Sequence, residues 1–352
     1  MSTASSSSSN YEYVTARTRS RKARLFDEDD YRQLTRMGTG EIARFMEESE
    51  YDEEMNDLAA RYSGVDLIEF ALNRNRAKHF DDLLRWADGP LHDYIARYLR
   101  RFDAWNVKTA IRGLSSGAAR DEIESDLVRT GELSESRTDR LLDANSVEEV
   151  VEVLDGTRFG PALDDAVDEY EESASLVPLE NALDRAYYRS LLSDMPAETD
   201  RATELYVEFL RAEVDFRNLR NALRLARSGS SVDPGEYYID GGRLFSADEL
   251  GSLAENTNEL IARLRNGVYG ERLSGALDEL EEADSLIGFE RALEEVLLAY
   301  SNRLSQLYPL SVCPVFAYVL EKEREVRNVR AIARGREAGL DPDEIEAELV
   351  IL

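Results

Sequence analysis

One helical signature returns three times along this chain. Ile68-Glu69-Phe70-Ala71-Leu72-Asn73 is echoed by Leu179-Glu180-Asn181-Ala182-Leu183-Asp184 and by Phe289-Glu290-Arg291-Ala292-Leu293-Glu294, with the glutamates 111 and 110 residues apart. A second motif keeps the same period. Asp103-Ala104-Trp105-Asn106-Val107-Lys108 returns as Asp215-Phe216-Arg217-Asn218-Leu219-Arg220 and as Glu325-Val326-Arg327-Asn328-Val329-Arg330, the asparagines being 112 and 110 residues apart. Phe26 to Leu34, Leu133 to Leu141 and Phe245 to Leu253 form a third echo, each opening a unit. The chain therefore reads as three copies of one unit, spanning 20–115, 120–228 and 240–340. Residues 1–19 hold a serine-rich tail and the start of the first helix, and 341–352 a C-terminal helix. A period this long argues against the short-repeat solenoids, whose repeats are about 20 to 50 residues. Three related units in one chain suit pseudo-threefold packing about an axis. Closure, a hollow centre and a plate or funnel shape all remain compatible with it.

The class is all-α. Apolar residues recur at three- and four-residue spacing, prolines are few, and no alternating β-branched run reaches strand length. Helix starts are marked by Asp27–Asp30 before Tyr31, Ser134 ahead of Arg137 and Thr138, Ser246 with Glu249, and Asp341-Pro342 with Glu344. Gly113, Gly117, Gly229 and Gly335 are expected to stop long helices.

Composition removes several functions. With 72 acidic against 43 basic residues the formal charge is -29. Nucleic acid and anionic lipid surfaces are repelled by such a chain. Cys313 is the single cysteine, so no intramolecular disulfide and no cysteine-rich zinc site can form. The serine run Met1–Asn10 has no apolar core of a signal peptide and reads as a disordered tail. Leu307–Leu320, the most apolar stretch, is about half a membrane span and is broken by Pro309 and Pro314. No direct transmembrane span is expected.

Chemical motifs are missing too. There is no phosphate-binding glycine loop, no dinucleotide fingerprint, no His-Glu-x-x-His and no Glu-x-x-His pair. His79 and His92, the only histidines, offer a general base without supporting partners. Acidic pairs such as Asp81-Asp82, Glu171-Glu172 and Glu281-Glu282 read as solvated faces. Catalytic, cofactor-binding and metal-binding residues are accordingly expected to be absent.

At 100° per residue, Tyr206, Val207, Leu210, Val214, Leu219 and Ala222 trace a buried stripe, matched by Tyr94, Ile95, Tyr98, Phe102, Val107 and Ala110 and by Phe316, Ala317, Leu320, Val329 and Ile332. Each asparagine motif thus lies on a core helix, its amide capping or bracing a neighbour. Another face is basic: Arg217, Arg220 and Arg224; Arg327, Arg330 and Arg334; Lys108 and Arg112. Two readings stand. The cations pair with the protein's own carboxylates and complement helix C-termini, or they face a central opening that receives an acidic partner.

Tyr11-x-Tyr13-x-x-Ala16-Arg17-x-Arg19 with Leu25, the repeated Leu/Ile-Glu-x-Ala-Leu element, Tyr187-Tyr188 and the Asp/Glu-x-x-Asn-Val/Leu-Lys/Arg helix together resemble the C subunit of archaeal A-type ATP synthases, whose eukaryotic counterpart is the d subunit of V-type ATPases. The resemblance covers nearly the whole chain after the serine tail. It implies a funnel-like, all-helical body of three similar units around a pseudo-threefold axis, without catalysis or cofactors. It further implies a rotor adaptor between the central-stalk subunits and the proteolipid ring, peripheral on the cytoplasmic side of the cell membrane, transmitting torque between proton or sodium flow and ATP synthesis. The serine extension and the polar segment Ser228–Gly242 depart from that pattern. The alternatives are an acidic helical scaffold for other proteins and a carboxylate-based hydrolase, which is left without a nucleophile.

Only Lys22, Lys78, Lys108 and Lys322 are lysine, the other basic residues being arginine. Like charges at this density oppose compaction in dilute buffer, whereas at about 1 M salt the Debye length falls to about 3 Å. This implies a cytosol of molar salt. Circular dichroism should show helix content rising from dilute buffer to molar KCl; full helicity in dilute buffer would overturn the salt adaptation.

Overall fold

The computed structural model describes residues 9–193, 201–228, 234–254, 256–282 and 287–350. The all-α reading holds: among these residues every regular element is a helix. They gather into two compact units, 1–155 with 301–352, and 156–300.

The first unit contains α1 (Tyr11–Lys22), α2 (Glu28–Leu34), α3 (Thr39–Glu47), α4 (Asp52–Leu58), α5 (Gly64–Trp86), α6 (Pro90–Leu99), α7 (Arg101–Ser116), α8 (Arg120–Asp126), α9 (Glu135–Asp143) and α10 (Val147–Val153). The second contains α11 (Gly160–Ser173), α12 (Val177–Ser193), α13 (Arg201–Ser228), α14 (Ala247–Ala254), α15 (Thr257–Arg265) and α16 (Gly270–Glu282). Helix α17 (Ile287–Leu307) crosses the division at Tyr300, and α18 (Cys313–Glu337) and α19 (Pro342–Glu346) return to the first unit.

The cores explain this grouping. In the second unit Phe216, Leu219 and Leu223 of α13 pack with Leu250, Leu260 and Leu273 of the short helices and with Phe289 and Leu293 of α17. In the first, Val326, Val329 and Ile332 of α18 pack with Tyr31, Ile42 and Met55 of the short helices α2–α4 and with Ile68 and Leu72 of α5. A long asparagine-motif helix thus packs with a cluster of short helices and with a glutamate-motif helix. For α18 those partners are supplied by the other end of the chain.

The caps follow the sequence. Asp27 and Asp30 close a reciprocal capping box on α2, and the Ser134 and Ser246 hydroxyls accept from Arg137 N and Glu249 N. Glu344 reaches back to the Asp341 amide at 3.0 Å. Gly117 ends α7 in the left-handed conformation. Gly113 and Gly335 differ from expectation, since α7 and α18 continue to Ser116 and Glu337. They are glycine because a following helix comes close: a Cβ at Gly113 would overlap the Ile123 side chain, and one at Gly335 would stand 2.8 Å from Ile345 Cγ1. Gly229 lies outside the described residues. So does most of the serine run, but Ser9 and Asn10 are anchored and do not belong to a free tail. The Asn10 amide donates to Trp86 O at 2.8 Å, and the Leu91 amide donates to Ser9 Oγ at 3.2 Å. No helix among the described residues is long and apolar enough to cross a membrane.

Replacing Gly113 with Ala should destabilise the protein by about 1–3 kcal/mol through overpacking, despite a helix-propensity gain of about 1 kcal/mol. Urea unfolding of Gly113→Ala, Ile123→Ala and the double variant should give a double-mutant cycle in which Ile123→Ala relieves most of that cost.

Candidate functional site

The repeated asparagines form one repeated contact. The Asn106 amide donates to Val128 O at 2.8 Å while its oxygen accepts from Val128 N at 2.8 Å. Asn218 holds Ile239 by the same two bonds, both 2.8 Å, and Asn328 holds Val350 at 2.9 and 3.1 Å. Each amide satisfies donor and acceptor of a single residue 22, 21 or 22 positions further on. These asparagines are 1–3% exposed, so either bond left unmade would strand a buried polar group.

The acid three residues earlier makes the second half of the clamp. Asp103 accepts from Glu132 N at 2.8 Å and Leu133 N at 3.0 Å, and Asp215 accepts from Arg243 N at 2.7 Å and Leu244 N at 2.9 Å. In the third copy Glu325 Oε2 accepts from Phe26 N at 2.6 Å, so residues 299 apart in sequence complete the clamp. Gly131 and Gly242 make room for the shorter aspartate: a Cβ at either position would overlap its carboxylate oxygen. In the third copy the acid is the longer glutamate, Glu325.

Lys322 belongs to this third clamp and was missed by the sequence reading. Its fully buried ammonium donates to Glu325 Oε1 at 2.7 Å and to Tyr51 OH at 2.9 Å, and the Tyr51 hydroxyl donates to the same carboxylate oxygen at 2.7 Å. Burial pushes the lysine pKa down, and Glu325 opposes that shift. The available signal was a lysine three residues before the acid, in a chain that otherwise uses arginine.

The basic faces meet carboxylates within the chain. Arg224 chelates Glu290 and Arg220 lies 3.7 Å from Glu294, so α13 faces the glutamate motif of α17. Arg217 turns to Asp184 of α12 at 3.5 Å. On α18, Arg334 chelates Glu69, while Arg330 lies 3.4 Å from Asp126 and 3.9 Å from Glu69. Lys108 is buried on α7, whereas Arg112 and Arg327 are exposed on α7 and α18. The half-exposed pairs such as Arg224–Glu290 contribute about 0.2–1 kcal/mol each.

The two histidines sit in different surroundings. His79 is buried with Nδ1 2.5 Å from Tyr318 OH, and burial pushes its pKa down to about 2, with Lys322 and Arg21 acting in the same direction. The imidazole is neutral at physiological pH. His92 is exposed beside Asp93. Among the described residues no group of three His, Cys, Asp or Glu side chains is arranged to hold a metal.

Burial pushes the Asp103 carboxyl up to about 6, only partly offset by the amides of Glu132 and Leu133. A folded-state pKa above the unfolded value of about 3.9 means that its contribution is fully present below that value and is lost as pH rises through 6. The stability of the native protein relative to Asp103→Asn should therefore fall between about pH 4 and 6 and level off above it. A carbon-detected NMR titration placing Asp103 below its ordinary value would contradict this environment.

The model of a family described as ATP synthase (C/AC39) subunit matches residues 14–348. A protein of Haloferax volcanii, named as the C subunit of A-type ATP synthase, is 62% identical over 344 residues, covering 98% of each chain. The protein of the same name from Halobacterium salinarum is 59% identical over 345 residues, covering 97% of this chain and 98% of its own. That from Methanosarcina mazei is 35% identical over 348 residues, covering 98% and 94%.

Proposed function

This chain belongs to the ATP synthase (C/AC39) subunit family, and we propose that it is the central-rotor adaptor of an A-type ATP synthase, linking the central stalk to the membrane proteolipid ring. The observation that carries this reading is the extent of the likeness: relatives named as the C subunit of A-type ATP synthase align along almost the whole chain. In this role the protein is a structural subunit without a catalytic centre, and it transmits torque between proton or sodium translocation and ATP synthesis. The reading includes three related helical units about a pseudo-threefold axis in a funnel-like body.

A torque-bearing adaptor needs loops that do not yield independently of the helices. The clamps supply this, since Val128, Ile239 and Val350 are each tied through both backbone polar groups to a long helix. A peripheral position at the cytoplasmic face of the membrane follows from attachment to the ring. The basic faces are assigned a second part in this reading: Arg112 and Arg327 are exposed on the motif helices and are candidate contacts for acidic partner segments.

The test is purification of the tagged chain from detergent-solubilised membranes at molar salt. Recovery with proteolipid-ring and central-stalk subunits, and loss of coupled ATP synthesis on its deletion, are the expected results. Recovery with other proteins and neither of these would favour an acidic helical scaffold outside any rotary motor.

A further inference from the structure

Residues 13–26 hold five cations and no acid, in a chain where one residue in five is acidic. Most of them lie on α1, which packs on α18 and buries Val14, Thr15 and Thr18. The other side of the helix, with Tyr13, Ala16, Arg17, Arg19 and Ser20, is exposed. Three of the five cations are engaged within the chain: Arg21 pairs with Asp82, Lys22 donates to Asn302, and Arg24 pairs with Glu50 at 2.9 Å. Arg17 and Arg19 meet no carboxylate among the described residues. The Arg17 guanidinium instead lies over two rings, 4.8 Å from the Tyr13 centroid and 4.9 Å from that of Trp86. Ring contacts engage the plane of a guanidinium and leave its in-plane N–H donors for a carboxylate.

The end of α17 and the turn after it run beside α1. Lys22 is tied to Asn302, and the Thr15 hydroxyl donates to Pro309 O at 2.8 Å, so the two segments lie antiparallel. Both belong to the first unit. Arg303, Leu307 and Leu310 are exposed there, each leucine at 58%. Arg303 also meets no carboxylate among the described residues. Three guanidinium groups without acids and two bare leucines thus border the same pair of segments, with Tyr13 and Trp86 holding one of the arginines in place.

Arginine, tyrosine and tryptophan are the side chains enriched where protein partners bind most tightly, and a basic patch on an acidic molecule selects its partner by sign. In molar salt the Debye length of about 3 Å removes long-range attraction, so each charge must be met in direct contact. Membrane binding then rests on inserted apolar area, of which two leucines supply little, whereas fixed carboxylates can bond the guanidinium edges bidentately.

We propose that the outer face of α1 and the adjoining end of α17 dock an acidic, amphipathic segment of a partner protein. Its carboxylates meet Arg17, Arg19 and Arg303, and its apolar side chains cover Leu307 and Leu310. The surface selects the chemistry of that segment whichever complex owns it, so failure of the rotor reading would leave the docking intact.

Photo-crosslinking in intact cells is the test. The full chain carrying p-benzoylphenylalanine in place of Ser20, on the exposed face of α1, should attach to a partner peptide with an excess of Asp and Glu; the same group in place of Ser136, exposed on α9, should not. That peptide, synthesised, should bind the purified full chain in molar KCl. Arg19→Gln combined with Arg303→Gln should weaken binding about tenfold, the effect of two surface ion pairs, with helix content by circular dichroism unchanged. Leu310→Ser should weaken it as well. Adducts only to lipid, to a second copy of this chain or to a peptide without excess acid, no adduct at all, or undiminished binding by the double variant would each disprove the docking surface.

Discussion

On each of the long helices α7, α13 and α18 a buried side chain ties a distant segment of the chain back to the core. An asparagine bonding both polar groups of one residue, with an acid one turn earlier holding the next few amides, leaves the loop no alternative register. A one-residue slip would strand a buried amide and a buried carboxylate together. Each bond contributes only about 0.5–1.5 kcal/mol net, but each unmade buried partner costs about 1–3 kcal/mol. That asymmetry gives the clamp specificity beyond its stabilising energy. The acidic half carries its own cost, because Asp103 and Asp215 are both held above their ordinary pKa by burial.

The third clamp differs in what it connects. Asn328 holds Val350 near the end of the chain, and Glu325 holds Phe26 near its beginning. A loop that is continuous after α7 and α13 is therefore assembled from both ends of the chain after α18. Packing accordingly regroups the segments, and the short helices α2–α4 share a core with α18. Lys322 and Tyr51 reinforce this junction with a charged, fully buried network between residues 271 apart. Closing a loop of this length costs only about 2 kcal/mol more than closing the shorter loops of the other clamps, and the lysine and tyrosine add charge-assisted bonds to the acid that closes it.

The repeated cations have a comparable architectural use. Glutamates of one motif and arginines of the other recur at the same period, and the structure brings Glu290 to Arg224 and Glu69 to Arg334. Two motifs that looked independent in sequence are partners across helix contacts.

The helical class, the capping residues at Asp27, Ser134 and Ser246, and the period of about 110 residues were all legible in the sequence, since they rest on local spacing and local hydrogen bonding. Gly131-Glu132-Leu133 and Gly242-Arg243-Leu244 were equally visible, yet their meaning depends on aspartates about 30 residues away. The sequence by itself determined that two helical motifs return three times at a period of about 110 residues and that each copy carries an asparagine, an acid and a basic face. Only the tertiary structure decided that the asparagine grips one backbone residue, that the basic faces meet the repeated glutamates, and that the first and last segments share one core. Those outcomes turn on which distant groups reach hydrogen-bonding distance once water is excluded, and periodicity along a chain holds no record of that.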